Sequence, residues 1–250
     1  MPAPRAQSGT EERVAIQAGQ SMQKMSLGLR VAVRFVLVLL VAASIVFLPA
    51  GTLRFWQGWA LLAVIILPSG LAYLYFLKHD PQLVERRIQN KETVSEQKWL
   101  IRLSGPPFVA ISTLPGFDVR WGWSRTLLGA VPLWMTLLSL AMICAGFLGV
   151  FWVLKVNSFA ARTIHVEAGQ KVISTGPYRL VRHPMYSASM VLWLFIPLAL
   201  GSWVAWPFFA LLAPFYALRL LSEEKVLRQE LPGYPDYCLR TRYRLIPFVW

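Results

Sequence analysis

Cysteine, histidine and acidic side chains are all scarce in this sequence, and each scarcity closes off a class of function. The two cysteines, Cys144 inside an apolar run and Cys238 near the end, offer neither a disulfide framework nor a cysteine-rich zinc site. The three histidines, His79, His165 and His183, are far apart in sequence, so a histidine-rich metal site is not expected. No Gly-x-Gly-x-x-Gly and no phosphate-loop pattern occurs, which removes support for a soluble nucleotide-binding domain. No internal repeat is visible. Against 12 Asp and Glu stand 25 Lys and Arg, a net charge of +13. These cations fall between apolar runs rather than along one stripe. Membrane lipids with anionic headgroups are therefore the expected partner, and nucleic acid is not.

Apolar residues are what the chain has in quantity. They make up 56% of it, with 11 Trp among them, a composition foreign to a soluble globule. Several runs approach the ~20 apolar residues that a bilayer-spanning helix needs, which predicts an all-α, polytopic membrane helix bundle of about four spans. Residues 1–26 are polar and mixed in charge and are expected to form a flexible tail. The stretch is too long and too charged, and lacks a small-residue cleavage site, to read as a signal peptide. Spans are expected over 31–49 and 58–77, with Pro68 as a tolerated kink. Residues 78–98 are the most polar interior stretch and predict an interfacial helix or loop. The run 99–117 is interrupted by Pro106-Pro107 and Pro115-Gly116, which predicts a broken or tilted third span; 127–154 is a long fourth. Residues 27–154 thus form the transmembrane part.

Residues 155–250 read differently. A polar stretch, 155–186, is followed by apolar runs 187–200 and 204–221 separated by Gly201-Ser202-Trp203. Together, over 184–221, they predict a tight helical hairpin that enters and leaves by the same face. An amphiphilic tail follows. With both termini inside, 22 Lys and Arg fall on the inner side and only Arg54, Arg120 and Arg125 on the outer. That asymmetry is what the positive-inside rule expects, and it gathers the 78–98 segment, the polar stretch and the tail on the cytoplasmic face of an inner membrane.

The candidate site lies in Gly176-Pro177-Tyr178-Arg179-Leu180-Val181-Arg182-His183-Pro184-Met185-Tyr186. Gly-Pro signals a turn, and Pro184 suits the first position of a helix, which places His183 at its cap. The free N–H groups there attract anions, and Arg179 and Arg182 add positive charge. The competing reading is a basic loop beside a span, its arginines on lipid phosphates. Arg219 and Glu223 are four apart and share a helix side where the hairpin leaves the membrane; the bland alternative is an ion pair that merely ends the helix. Glu224 points about 100° away on an ideal helix and reads as a solvated charge. Taken singly, Tyr178, Tyr186, Tyr234 and Tyr237 read as interface-belt tyrosines, and Trp193, Trp203 and Trp206 as lipid or packing residues.

In order along the chain stand Gly176-Pro177-Tyr178, Arg182-His183-Pro184-Met185-Tyr186, Arg219-x-x-x-Glu223-Glu224-x-x-Leu227, Tyr234-x-x-Tyr237 and Arg242-Tyr243-Arg244-Leu245-Ile246-Pro247-Phe248. This ordered set resembles the isoprenylcysteine carboxyl methyltransferase family of integral-membrane enzymes, over about residues 157–250. Asp80-Pro81-x-Leu83-Val84-x-Arg86 is similar to bacterial members. The resemblance implies methyl transfer from S-adenosylmethionine to a lipophilic carboxylate, small molecule or prenylated, with no metal, in a cytosolic cofactor-binding cap. It carries cofactor contacts onto His165, Gln170, Lys171, Val172, Ile173, Tyr178, Arg182, His183, Pro184, Met185, Tyr186 and Glu223, and a substrate-side role onto Arg219. Two positions depart from the family pattern: His165 replaces a glutamine, and Ala188 a glycine beside the cofactor.

The chemistry agrees with that implication. A sulfonium donor is already activated, so the protein need only align the partners. A carboxylate is ionised at neutral pH, so the scarcity of general bases is no obstacle. An anion meeting a sulfonium cancels charge, which a dry site favours. On this reading Arg219 and Glu223 are the catalytic pair: Arg219 orients the acceptor carboxylate, and Glu223 meets the cationic part of the cofactor. The cap at His183 and its arginines hold the anionic end. The alternatives are a phospholipid amine N-methyltransferase, which needs a proton acceptor, an NADPH-dependent membrane sterol-type reductase, and a non-catalytic membrane binding protein.

Overall fold

A computed structural model of the chain describes residues 26–89, 95–160 and 169–250, with residues 89 and 95–101 described by backbone alone. The tail expected over 1–25 lies outside the described residues, as does His165. Every regular element among the described residues is helical: α1 (Leu27–Ala50), α2 (Trp56–His79), α3 (Pro81–Gln89), α4 (Ser95–Trp121), α5 (Trp123–Leu127), α6 (Leu133–Val156), a 3-10 turn (Gly176–Arg179), α7 (Pro184–Ala199), α8 (Phe208–Glu230) and α9 (Tyr234–Arg240). The chain divides into two compact units at Val38. Of the first, the description covers only the opening of α1; the second, Leu39–Trp250, holds everything below.

The protein is an all-α membrane helix bundle. α1, α2 and α6 have 24 residues each. At about 1.5 Å per residue each exceeds the ~30 Å of a hydrocarbon core. Among the described residues these three helices are long and apolar enough to cross a membrane. Leu67, Leu71, Leu74, Leu137, Leu148 and Trp152 stand exposed on them, a surface suited to acyl chains rather than water. Inside, Val46, Phe47 and Ala50 of α1 pack with Phe55, with Leu61 and Leu62 of α2, with Leu140 and Ile143 of α6, and with Ala199 and Leu200 at the end of α7.

The expected third span is where the structure differs. It is one continuous helix, α4, through Pro106, Pro107 and Pro115, and it is not among the three apolar enough to span. Proline removes the donors to the carbonyls of Arg102, Leu103 and Ile111, gaps that membrane helices tolerate; Ser112 Oγ and Thr113 Oγ1 bond back to Phe108 O at 2.7 Å and Val109 O at 2.8 Å. Gly116, read as part of a break, is instead a close approach. A Cβ there would stand 2.9 Å from Val46 O and 3.0 Å from Ala50 N. The expected fourth span also starts later: Leu127 closes α5, and the long helix begins after Pro132, which caps it in an extended conformation.

α6 and α7 pack tightly against each other. A Cβ on Gly146 would meet Leu192 Cδ2 at 2.6 Å and Ala188 O at 3.3 Å, and one on Gly149 would meet Ala188 Cβ at 3.3 Å. The packing that Ala188 tightens is therefore the α6–α7 contact. α7 and α8 make the expected hairpin, with a longer connection than the three residues read from the sequence. Its tip is fastened by buried Asp118 at the end of α4: Ser124 N donates to Oδ1 at 2.7 Å, and the Ser124 and Ser202 hydroxyls both donate to Oδ2. Ser124 Oγ in turn accepts from Trp203 N at 2.8 Å and Val204 N at 3.1 Å.

Candidate active site

Two peptide-to-peptide hydrogen bonds fold the tail over the start of α7. Arg182 N donates to Tyr243 O at 2.9 Å and His183 N to Arg244 O at 3.0 Å. Pro184 occupies the first helical position with His183 as cap, as its inability to donate predicts. The His183 side chain does not cap the helix. It is 5% exposed and turns inward, with Nδ1 3.9 Å from Glu223 Oε1 and Nε2 3.5 Å from Glu224 Oε1.

Glu224 corrects the sequence reading of a solvated charge. It is 3% exposed, and its oxygens accept from Arg182 Nη1 at 2.9 Å and Arg244 Nε at 3.1 Å. The helix geometry was right and the surroundings were not: the face turned away from Glu223 meets the folded-back tail instead of water. Burial by itself would raise the Glu224 carboxyl, but His183 and Arg182 together hold it down to about 2. Arg182 is equally committed. Nε donates to Thr241 O at 2.7 Å, and Nη2 donates to Cys238 O and Arg242 O at 3.1 Å each. This guanidinium fastens the tail, which a loop arginine resting on lipid phosphate could not do.

From α7, Tyr186 OH donates to Glu223 Oε2 at 2.8 Å, and Arg219, one turn earlier on α8 than Glu223, donates its Nε to the same hydroxyl at 3.1 Å. The spacing of Arg219 and Glu223 thus does more than end a helix: both grip one tyrosine from α7. Tyr216 packs edge-on against that ring at 5.9 Å.

These groups line a cavity of about 630 Å³. Gln170, Lys171, Val172, Ile173, Tyr178, Arg182, His183, Pro184, Met185, Tyr186, Arg219 and Glu223 all reach it. Arg179 does not; it is exposed. Phe108 of α4 and Phe215 of α8 give the cavity an apolar side, and Tyr234 and Tyr237 of α9 close it beneath Val172 and Leu227. The tyrosines are thus not belt residues. Tyr178 OH accepts from Asn157 Nδ2 at 2.8 Å, and Tyr237 OH donates to Tyr178 O at 2.7 Å. Burial pushes the Tyr178 hydroxyl up to about 12 and those of Tyr234 and Tyr237 higher still, so all three remain protonated. Two buried polar atoms at the cavity, His183 Nε2 and Tyr234 OH, have no hydrogen-bond partner among the described residues.

Sequence reasoning passed over Asn157, Phe108, Phe215, Tyr216 and Arg87. Asn157 carried a signal, being a polar residue just past the end of α6 that could have been read as its cap. The phenylalanines carried none, because an apolar residue in an apolar run says nothing about which cavity it faces.

Residues 134–231 match the family model described as phospholipid methyltransferase. The matched stretch runs from the start of α6 to the cap that follows α8, and so contains Arg219, Glu223 and Tyr186 but not the tail that closes over them. The chain is also similar to the nickel-cobalt-cadmium resistance protein NccN of Alcaligenes xylosoxydans xylosoxydans, 29% identical over 107 residues. That match covers 42% of this chain and 50% of NccN, so the chain spans about half the length of NccN. The family match supports an integral-membrane protein that methylates.

Proposed function

We propose that this chain is an integral-membrane methyltransferase that takes its methyl group from S-adenosylmethionine and delivers it to the carboxylate of a lipophilic, isoprenylcysteine-like acceptor. The observation that carries this reading is Tyr186 held between Arg219 and Glu223 in a cavity with an apolar side. The residues suit the donor. About 630 Å³ lies within the ~300–1,000 Å³ of small-molecule sites, Glu223 offers an anion to a cationic molecule, and the unpartnered Tyr234 hydroxyl offers a polar contact. When bound, the donor supplies a methyl group already activated by its sulfonium.

The chain's own part is placement. Arg219 orients the incoming carboxylate, Tyr186 fixes the distance between Arg219 and Glu223, and Phe108 and Phe215 receive the acceptor's apolar portion and keep water away. No proton has to be removed from a carboxylate at neutral pH. The distribution of Lys and Arg supports a cavity facing the cytoplasm of an inner membrane.

A second reading, a phospholipid amine acceptor, fits the family match equally well. There the donor would supply the methyl group to the amine nitrogen, and Glu223 would be the residue to take the proton the nitrogen sheds. Calorimetric titration of the purified protein with S-adenosylmethionine and with NADPH comes first; binding of NADPH alone would instead support a reductase. Labelled-methyl transfer into a lipid extract follows. Label that mild base releases as volatile methanol comes from a methyl ester and supports the carboxylate; label that stays non-volatile after base supports the amine. Folded protein that ignores S-adenosylmethionine would end both.

A further inference from the structure

The apolar side of the large cavity stops where three helices bring one layer of side chains together. On α7 the residues that reach the cavity end with Ser189; the next on that face is Trp193, which does not reach it. On α4 the last to line it is Phe108, and on α8, read back toward its start, Phe215. About one turn beyond these two stand Ile111 and Leu212, both fully buried.

Trp193 bridges the two helices. Its ring packs edge-on against Phe108 at 4.5 Å, and its indole N–H donates to the Tyr216 hydroxyl. Tyr216 in turn lies edge-on against Tyr186, the ring that Arg219 and Glu223 grip, so the layer is tied to the polar end of the site as well. Leu212 precedes Arg219 by seven residues, which is about 10 Å along α8 at 1.5 Å per residue.

We propose that Trp193, with Ile111 and Leu212 behind it, is the floor that limits how long an apolar chain the site accepts. The inference rests on the proposed carboxylate acceptor and adds a length to it. With the carboxylate at Arg219, a geranyl chain fills the depth available, whereas a geranylgeranyl chain, twice as long, meets Trp193 before it is buried. A groove without a floor would reward every added carbon instead.

Native mass spectrometry of detergent-solubilised protein with the prenyl, geranyl and geranylgeranyl thioethers of N-acetylcysteine tests this. Each ratio of retentions is compared between variant and parent, so that partition into micelles cancels. The unaltered protein should retain the geranyl compound above the geranylgeranyl one. Trp193→Leu opens the floor and should raise geranylgeranyl retention relative to geranyl by about tenfold. Ser189→Leu fills the cavity one turn above the floor and should shift retention the other way, from geranyl toward prenyl. A parent that favours geranylgeranyl would overturn the proposal, as would a Trp193→Leu ratio equal to the parent's, or retention of none of the three. Should Trp193→Leu fail to fold, Ser189→Leu decides alone, because its side chain enters open space; an unshifted geranyl-to-prenyl ratio then overturns the proposal. Release of labelled methanol from the same compounds reports the carboxylate acceptor separately, since a chain can be retained by its length and still not be methylated.

Discussion

Glu224→Gln is the most demanding perturbation of this structure, because it keeps the side chain's volume and removes only its charge. At neutral pH the carboxylate, 3% exposed, receives Arg182 at 2.9 Å and Arg244 at 3.1 Å and lies 3.5 Å from His183. Two estimates of its worth agree. Breaking one side of a buried ion pair costs about 3–5 kcal/mol, since the partner is left uncompensated. A carboxyl held at about 2 against an ordinary 4.5 corresponds to about 3 kcal/mol, at about 1.4 kcal/mol for each pH unit between them. For a chain of this length that predicts a fall of roughly 6–12 °C in the thermal midpoint, read by size-exclusion of heated, detergent-solubilised protein. Glu223→Gln is the paired control. Its side chain is 27% exposed, so the midpoint should move by less than about 3 °C while donor binding weakens. A Glu224→Gln midpoint within about 2 °C of the parent would refute the account of the tail as fastened through this carboxylate.

The same group sets a pH window. Its folded-state value lies below its unfolded one, so its contribution is complete above about pH 4.5 and is lost as pH falls toward 2. The parent's thermal midpoint should drop through that range, and the drop attributable to this carboxyl should be missing from Glu224→Gln. Arg219→Ala should lower methyl transfer by about a hundredfold or more with the midpoint nearly unchanged; an unchanged rate in folded protein removes Arg219 from the chemistry. Tyr234→Phe deletes a buried hydroxyl that no described residue satisfies, so it should leave stability equal or higher, by up to about 1 kcal/mol, while donor affinity falls. Gly116→Ala should destabilise by about 2 kcal/mol or more, because the added methyl meets backbone atoms of α1 that cannot rotate aside.

How far the sequence could be read depended on how local each determinant was. The cap at His183-Pro184 follows from proline's missing donor, and the shared side of Arg219 and Glu223 from helix periodicity, so both could be placed before any fold was known. The residues gathered at the cavity come from short segments whose order and spacing survive any change in how the helices pack. α4 was misread for the opposite reason. Three prolines argue locally for a break, and only the tertiary contact of Gly116 with α1 shows what the unbroken helix packs against. Glu224 failed in the same way. Its neighbours, Arg182 and Arg244, are contributed by segments 42 and 20 residues away, a distance that periodicity cannot cross.

The clasp at the hairpin tip also bears on how a bulky acceptor gets in. Asp118 ties the last turn of α4 to α5 and to the α7–α8 connection, whereas Phe108, on the cavity wall, lies midway along α4 with Pro115 between it and the clasp. The wall that such an acceptor would meet, beside Phe108, is thus on the length of α4 that the clasp does not hold.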